Sequence, residues 1–153
     1  MVLLELNNVV KNFGQKTVLD HFSLQVEAGK IYAITGRSGC GKSTLLNIMG
    51  GIEKATSGDV TILENKNISP RSSKVRKLLR NDISFLFQNY ALSDNDTVKY
   101  NLEMALLHNK EVKDKKPAIA EALRKVGLKG FERQKVYTLS GGEQQRVAME
   151  GCC

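Results

Sequence analysis

The sequence predicts an α/β fold organised around a phosphate-binding loop, and three observations carry that prediction. Residues 36–44 read Gly36-Arg37-Ser38-Gly39-Cys40-Gly41-Lys42-Ser43-Thr44, which satisfies the spacing G-x-x-x-x-G-K-[ST]. The short, mostly apolar run Ile31 to Thr35 comes before it, and Lys42 to Met49 follows with Leu45, Leu46 and Met49 at helical spacing. The loop therefore falls between a strand and a helix, where such a loop has to sit. The third observation is bulk composition: 153 residues, 41% hydrophobic and 25% charged, suffice for one globular domain with a core. Disorder, a fibrous class and a multidomain enzyme are not expected.

The elements follow in order. Leu4 and Leu6, then Phe22, Leu24 and Val26, alternate at period two, with turn-type segments at Asn12–Lys16 and Ala28–Lys30, and predict antiparallel strands. Ile31–Thr35 predicts the strand before the loop. Asp59–Leu63 and Ile83–Phe87 predict two more. Between them lies a helix whose Val75, Leu78 and Leu79 face inward. Asp96 predicts the cap of a further helix with Val98, Leu102, Ala105 and Leu106 on one face. Pro117 opens another with Ile119, Ala122, Leu123 and Val126. No internal repeat or low-complexity segment interrupts the pattern.

Charge is less informative than it first looks. Lys and Arg number 23 against 16 Asp and Glu, a net +7. Six of those positive charges, Lys66, Arg71, Lys74, Arg76, Lys77 and Arg80, fall in a run without an acid. The run carries no aromatic residue on which a base could stack, so a solvated helix face is expected and nucleic acid is not. No apolar stretch is long enough to span a membrane, and the start carries no basic leader. Cys40, Cys152 and Cys153 do not make a disulfide framework, and no Cys/His set has metal-ligand spacing. A cytoplasmic setting is the default.

In the loop, glycines let the backbone curl so that successive N–H groups point at phosphate oxygens, and the helix N-terminus adds its dipole. Lys42 would bind the β and γ phosphates, and the Ser43 hydroxyl would reach Mg²⁺. Cys40 reads first as a small residue filling a tight loop, with a reactive thiol as the alternative. Recognition of guanine is disfavoured, because Asn65-Lys66-Asn67-Ile68 lacks the carboxylate that pairs the base edge.

Near the end stands Leu139-Ser140-Gly141-Gly142-Glu143-Gln144-Gln145-Arg146-Val147-Ala148. Ser140 and Glu143 have capping-box spacing. Two glycines in a first helical turn cost helix stability, yet let an anion approach the backbone closely.

With these residues in view, the sequence resembles the nucleotide-binding domain of ATP-binding cassette (ABC) transporters, whose signature motif is this L-S-G-G-[EQ]-Q-Q-R run. The resemblance covers about residues 2–149. It implies a P-loop NTPase of ABC type: an N-terminal antiparallel β subdomain, an incomplete, mostly parallel core sheet, and a helical subdomain at about 84–140, all within one C-terminally incomplete domain, 1–153. It implies ATP and Mg²⁺ as ligands, with Gly36 to Thr44 at the phosphates and Lys42 and Gln88 as catalytic residues. Ser43 and Gln88 are expected at the metal, and Phe13 in VVKNFG as the ring that stacks on adenine. Taken from the residues alone, Phe13 is equally a core residue or a loop anchor. Ser140, Gly141 and Gly142 would act in trans on the ATP of a partner domain in a homodimer or heterodimer. A membrane permease subunit is the other implied partner, which would make the chain peripheral on the inner membrane face.

NIMGGIEKATSGDV and FQNYALSDNDTVKYNLEMAL most resemble the branch that exports macrolides, lipoproteins, peptides or bacteriocins. A binding-only module and a non-transport ABC protein are the alternatives. After Met149 the family pattern runs on to an apolar strand ending in Asp-Glu, whereas here it reads Glu150-Gly151-Cys152-Cys153. The expectation is therefore nucleotide binding without useful turnover and an unpaired edge at Ile31–Thr35. His21 and His108 are expected at the surface or a helix end, not as the family's switch histidine.

Overall fold

The computed structural model describes residues 1–108, 112 and 114–151. Cys152, Cys153 and the side chain of His108 lie outside the described residues. The chain divides into two compact units, one from Met1 to Ile83 and one from Ser84 onward.

In the first unit, strands β1 (Val2–Phe13) and β2 (Lys16–Glu27) form a long antiparallel hairpin. β3 (Ser57–Ile62) and the two-residue β4 (Asn65–Lys66) complete a sheet of order β2-β1-β3-β4. Leu4 and Leu6 face the core as alternation requires, but at Asn8, which has φ 53°, β1 bulges and the register shifts against both neighbours. One extra residue exchanges the two faces of a strand. Val9 and Lys11 are therefore the inward residues beyond the bulge. A matching irregularity at His21, φ 46°, separates inward Leu19 from Phe22, Leu24 and Val26. Gly58, φ +85°, crosses the bulge where a Cβ would lie 2.3 Å from the Asn8 carbonyl oxygen, so only glycine fits.

Helix α1 (Lys42–Met49) packs Leu45 and Ile48 into the same core, and α2 (Ser73–Asn81) packs Val75 and Leu78 inward. Leu79 is half-buried. Ser72 caps α2 by accepting from the Val75 N–H at 3.2 Å. Its basic residues Lys74, Arg76, Lys77 and Arg80 are exposed, as expected of a solvated face.

Two expected strands are absent. Residues 31–35 and 83–87 belong to no strand, and Ile31 is fully exposed. Among the described residues the sheet is antiparallel throughout, with no parallel pair. The reason is that an apolar run becomes a core strand only when neighbouring strands run alongside it, and among the described residues neither run takes part in a strand ladder.

The second unit is helical: α3 (Val98–Ala105), α4 (Lys115–Lys125) and α5 (Gly141–Gly151). The signature helix α5 belongs to this unit, which therefore runs past residue 140. Val98, Leu102, Ile119, Leu123, Leu128, Leu139 and Val147 make its core. Ala122 and Val126 are half-buried and Ala105 is exposed. The cap of α3 is Thr97, whose Oγ1 accepts from the Tyr100 N–H at 3.1 Å, not Asp96; that carboxylate instead accepts from Ser93 Oγ at 2.5 Å. Asp114 caps α4, so Pro117 is its third residue and not its first.

The capping box of α5 is present. Ser140 N–H and Oγ both donate to Glu143 Oε2 at 2.7 Å, and the Glu143 N–H donates to Ser140 Oγ at 3.4 Å. These Ser140 hydrogen bonds, helped by Arg146, hold the Glu143 carboxyl below the ordinary value of 4.5. A lowered folded pKa adds stability that is complete above the unfolded value and is lost as pH falls through the folded one. Backbone amide exchange in the first turn of α5 should accordingly rise as pH falls below that ordinary value of 4.5, after correction for intrinsic exchange. Glu143→Gln should remove that dependence. In the first unit, Leu6→Ala, which truncates a side chain 1% exposed, should cost about 2–5 kcal/mol in urea unfolding.

Candidate nucleotide-binding site

The loop between β2 and α1 closes on its own lysine. Lys42 Nζ donates to the carbonyl oxygens of Gly36 at 2.9 Å and Arg37 at 2.8 Å, and lies 3.9 Å from Cys40 Sγ. Residues 36–42 thus form a ring of backbone around an ammonium group. Gly41 makes the turn into the helix as its N-cap at φ 99°, and a Cβ there would stand 2.7 Å from Val18 Cγ1. Glycine is required on both conformational and packing grounds. No side chain caps α1. The first intrahelical bond is Leu45 N–H to Gly41 O at 2.8 Å, so the N–H groups of Lys42, Ser43 and Thr44 precede the hydrogen-bonded turns. Uncapped N–H groups, a helix dipole and a lysine on one small loop make an anion site.

Cys40 is free and exposed, and its sulfur lies where a Cβ on Gly36 would come within 2.9 Å. It fills the loop, as its size suggested. Ser43 is exposed in the first turn of α1. A magnesium ion takes few protein ligands and completes its shell with water and phosphate oxygens, so one accessible hydroxyl next to Lys42 is compatible with it. Among the described residues no cluster of three His, Cys, Asp or Glu side chains could hold a metal unaided.

Phe13 ends β1 half-exposed, which removes the core reading. Lys11 Nζ stands 4.7 Å from its ring centroid. Lys11 itself went unnoticed in the sequence, because continuing the Leu4 and Leu6 alternation turns it outward. His21 is exposed and bonded to Asp20.

In the second unit, Gln88 is exposed at the start of a turn rather than at the end of a strand. The turn is unusual in holding Tyr90 at φ 60° and Ala91 at φ 51°, both non-glycine residues in the left-handed region. Ser140, Gly141 and Gly142 are exposed at the start of α5. A Cβ on Gly141 would meet nothing within 4 Å, and one on Gly142 only Arg146 Nη1 at 3.7 Å. Neither glycine is demanded by packing among the described residues. Gln144, to which the sequence reading assigned no role, braces this terminus: its Nε2 donates to the carbonyls of Val136 at 3.1 Å and Leu139 at 3.2 Å.

Comparison with known proteins agrees with this geometry. The ABC transporter family model matches residues 19–152. The Fe(3+) ions import ATP-binding protein FbpC of Escherichia coli O157:H7 is 40% identical over 149 residues, 95% of this chain and 40% of that protein. The spermidine/putrescine import ATP-binding protein PotA of Pasteurella multocida is 36% identical over 151 residues, 96% of this chain and 38% of that protein. The chain thus spans about two-fifths of the length of these curated relatives. Among solved structures, the ATP-binding cassette MJ0796, in a dimeric post-hydrolysis state bound to ADP and Pi, superposes with a TM-score of 0.85 at 32% identity. That match covers 97% of this chain and 68% of the other. The fold is that of a P-loop NTPase of ABC type, and the chain belongs to the ABC transporter family through its ATP-binding domain.

Proposed function

We propose that this chain is the ATP-binding part of an ABC transporter, a machine in which ATP hydrolysis drives transport through a membrane permease partner. The observation that carries the reading is the loop closed around Lys42, with its two carbonyl bonds and the uncapped start of α1 behind it. In this reading the N–H groups from Gly36 to Thr44, including those of Arg37, Ser38, Gly39, Cys40 and Gly41, line the triphosphate. Lys42 neutralises its β and γ oxygens, and Phe13 stacks on adenine. Ser43 and Gln88 would hold Mg²⁺, which supplies charge neutralisation at the phosphates.

Ser140, Gly141 and Gly142 would meet the γ-phosphate of a second ATP-binding domain, so that closure of a homodimer or heterodimer depends on ATP. Their exposure and the open space over Gly141 support that role, as does the dimeric state of the cassette MJ0796. Association with the inner membrane face would come through the permease, and no helix among the described residues is long and apolar enough to cross a membrane.

Direction is the finer question. The segments quoted above resemble the export branch, whereas FbpC and PotA are named for import of iron and polyamines. These two indications support opposite directions, and ATP-driven transport is what they share. The alternatives are a binding-only module and a non-transport ABC protein.

Lys42→Ala should weaken binding of Mg-ATP by more than about tenfold, the worth of a lost charge-assisted hydrogen bond, in a calorimetric titration. Unchanged affinity would refute the loop as the phosphate site. Phosphate release separates the first two readings. Release that Lys42→Ala abolishes supports a hydrolytic subunit, and ATP binding without release supports the binding-only module.

A further inference from the structure

Lys11 is the one charged side chain buried among the described residues, at 8% exposure. A lysine ordinarily carries its ammonium out to water, and a buried charge is tolerated only when paired. Here Nζ donates to Glu53 Oε1 at 2.5 Å and to the Lys54 carbonyl at 2.8 Å, and faces the Phe13 ring at 4.7 Å from its centroid. Strand β1 and the segment 53–56 are tied twice more. The Asn12 N–H donates to Thr56 Oγ1 at 2.9 Å, and the Thr56 N–H donates to the Val10 carbonyl at 2.8 Å. On the far side of Glu53, the N–H groups of Ile52 and Glu53 donate to the Asn47 carbonyl at 2.8 and 3.0 Å. Asn47 belongs to α1, the helix whose other end carries the phosphate loop. A continuous path therefore runs from α1 through Glu53 and Lys11 to the ring of Phe13.

We infer that Lys11 is a positioning residue for recognition of the adenine base. Clamped by Glu53 and the Lys54 carbonyl, its ammonium covers one face of Phe13 and fixes the ring at a set distance from the phosphate loop, leaving the exposed surface of the ring to receive the base. Phe13 has no polar atom through which to be anchored. A free ring at a strand end would lose rotamer freedom on stacking, and a clamp made in advance removes that cost. The inference rests on the proposed stacking of Phe13 on adenine, so the test separates the two.

ATP and inorganic tripolyphosphate, each with Mg²⁺, are titrated calorimetrically into the full chain and its variants. Tripolyphosphate reports the phosphate loop without a base. Phe13→Ala and Lys11→Met should each weaken ATP by about tenfold and leave tripolyphosphate unchanged, and Lys11→Arg should restore most of the ATP affinity. If Phe13→Ala does not weaken ATP, the stacking reading falls and the inference with it. If Phe13→Ala weakens ATP and Lys11→Met does not, stacking stands and positioning by Lys11 is overturned. Parallel loss of both ligands in Lys11→Met would make Lys11 a general structural strut, which also overturns it. Should Lys11→Met fail to fold, Glu53→Gln carries the same test, because it loosens the clamp while keeping the lysine; a smaller loss confined to ATP is expected.

Discussion

A ring of backbone closed on the Lys42 ammonium is the constraint around which the first unit is arranged. Two carbonyl oxygens, of Gly36 and Arg37, converge on Nζ, and a chain can turn that tightly only where glycine relaxes the steric limits on φ. Gly41 does so against Val18 of β2, which makes the hairpin the wall on which the loop is built. On its far side α1 is held by Leu45 and Ile48 in the sheet core. Loop geometry thus follows from burial in the hairpin and the helix, and the uncapped N–H groups at the start of α1 are its consequence.

The second unit presents a different helix start by different means. At α5 a side-chain box satisfies the N–H groups of Ser140 and Glu143, while Gly141 and Gly142 keep the surface open. Gln144 ties the preceding turn to the helix, so the terminus is braced as well as accessible. An exposed, braced helix start suits a partner supplying negative charge, and this is the physical content of the proposed action in trans.

What could be read from the sequence were features whose causes lie within a few residues of one another. The G-x-x-x-x-G-K-[ST] loop, the Ser140–Glu143 box, and the inward Val75, Leu78, Ile119 and Leu123 are of this kind. The exchange of Asp96 for Thr97 as a cap is a near miss among neighbouring acceptors, decided when Ser93 engages Asp96. Features set by distant partners were not legible. Ile31–Thr35 and Ile83–Phe87 have the composition of strands, but pairing requires neighbours that composition does not reveal. Lys11 was missed for the same reason: the bulge at Asn8 that turns it inward is imposed by pairing with β2 and β3. The most informative buried charge in the chain thus lay in a stretch whose alternation pointed the other way.

Backbone amide chemical shifts during titration with Mg-ATP test the phosphate-loop account most directly, because its central claim concerns N–H groups. The amides of Gly39 to Thr44 should shift first and saturate together, while those of the basic helix α2 stay in place. Shifts confined to α2, with the loop amides unmoved, would mean that ATP is held by unspecific charge, and would contradict the account.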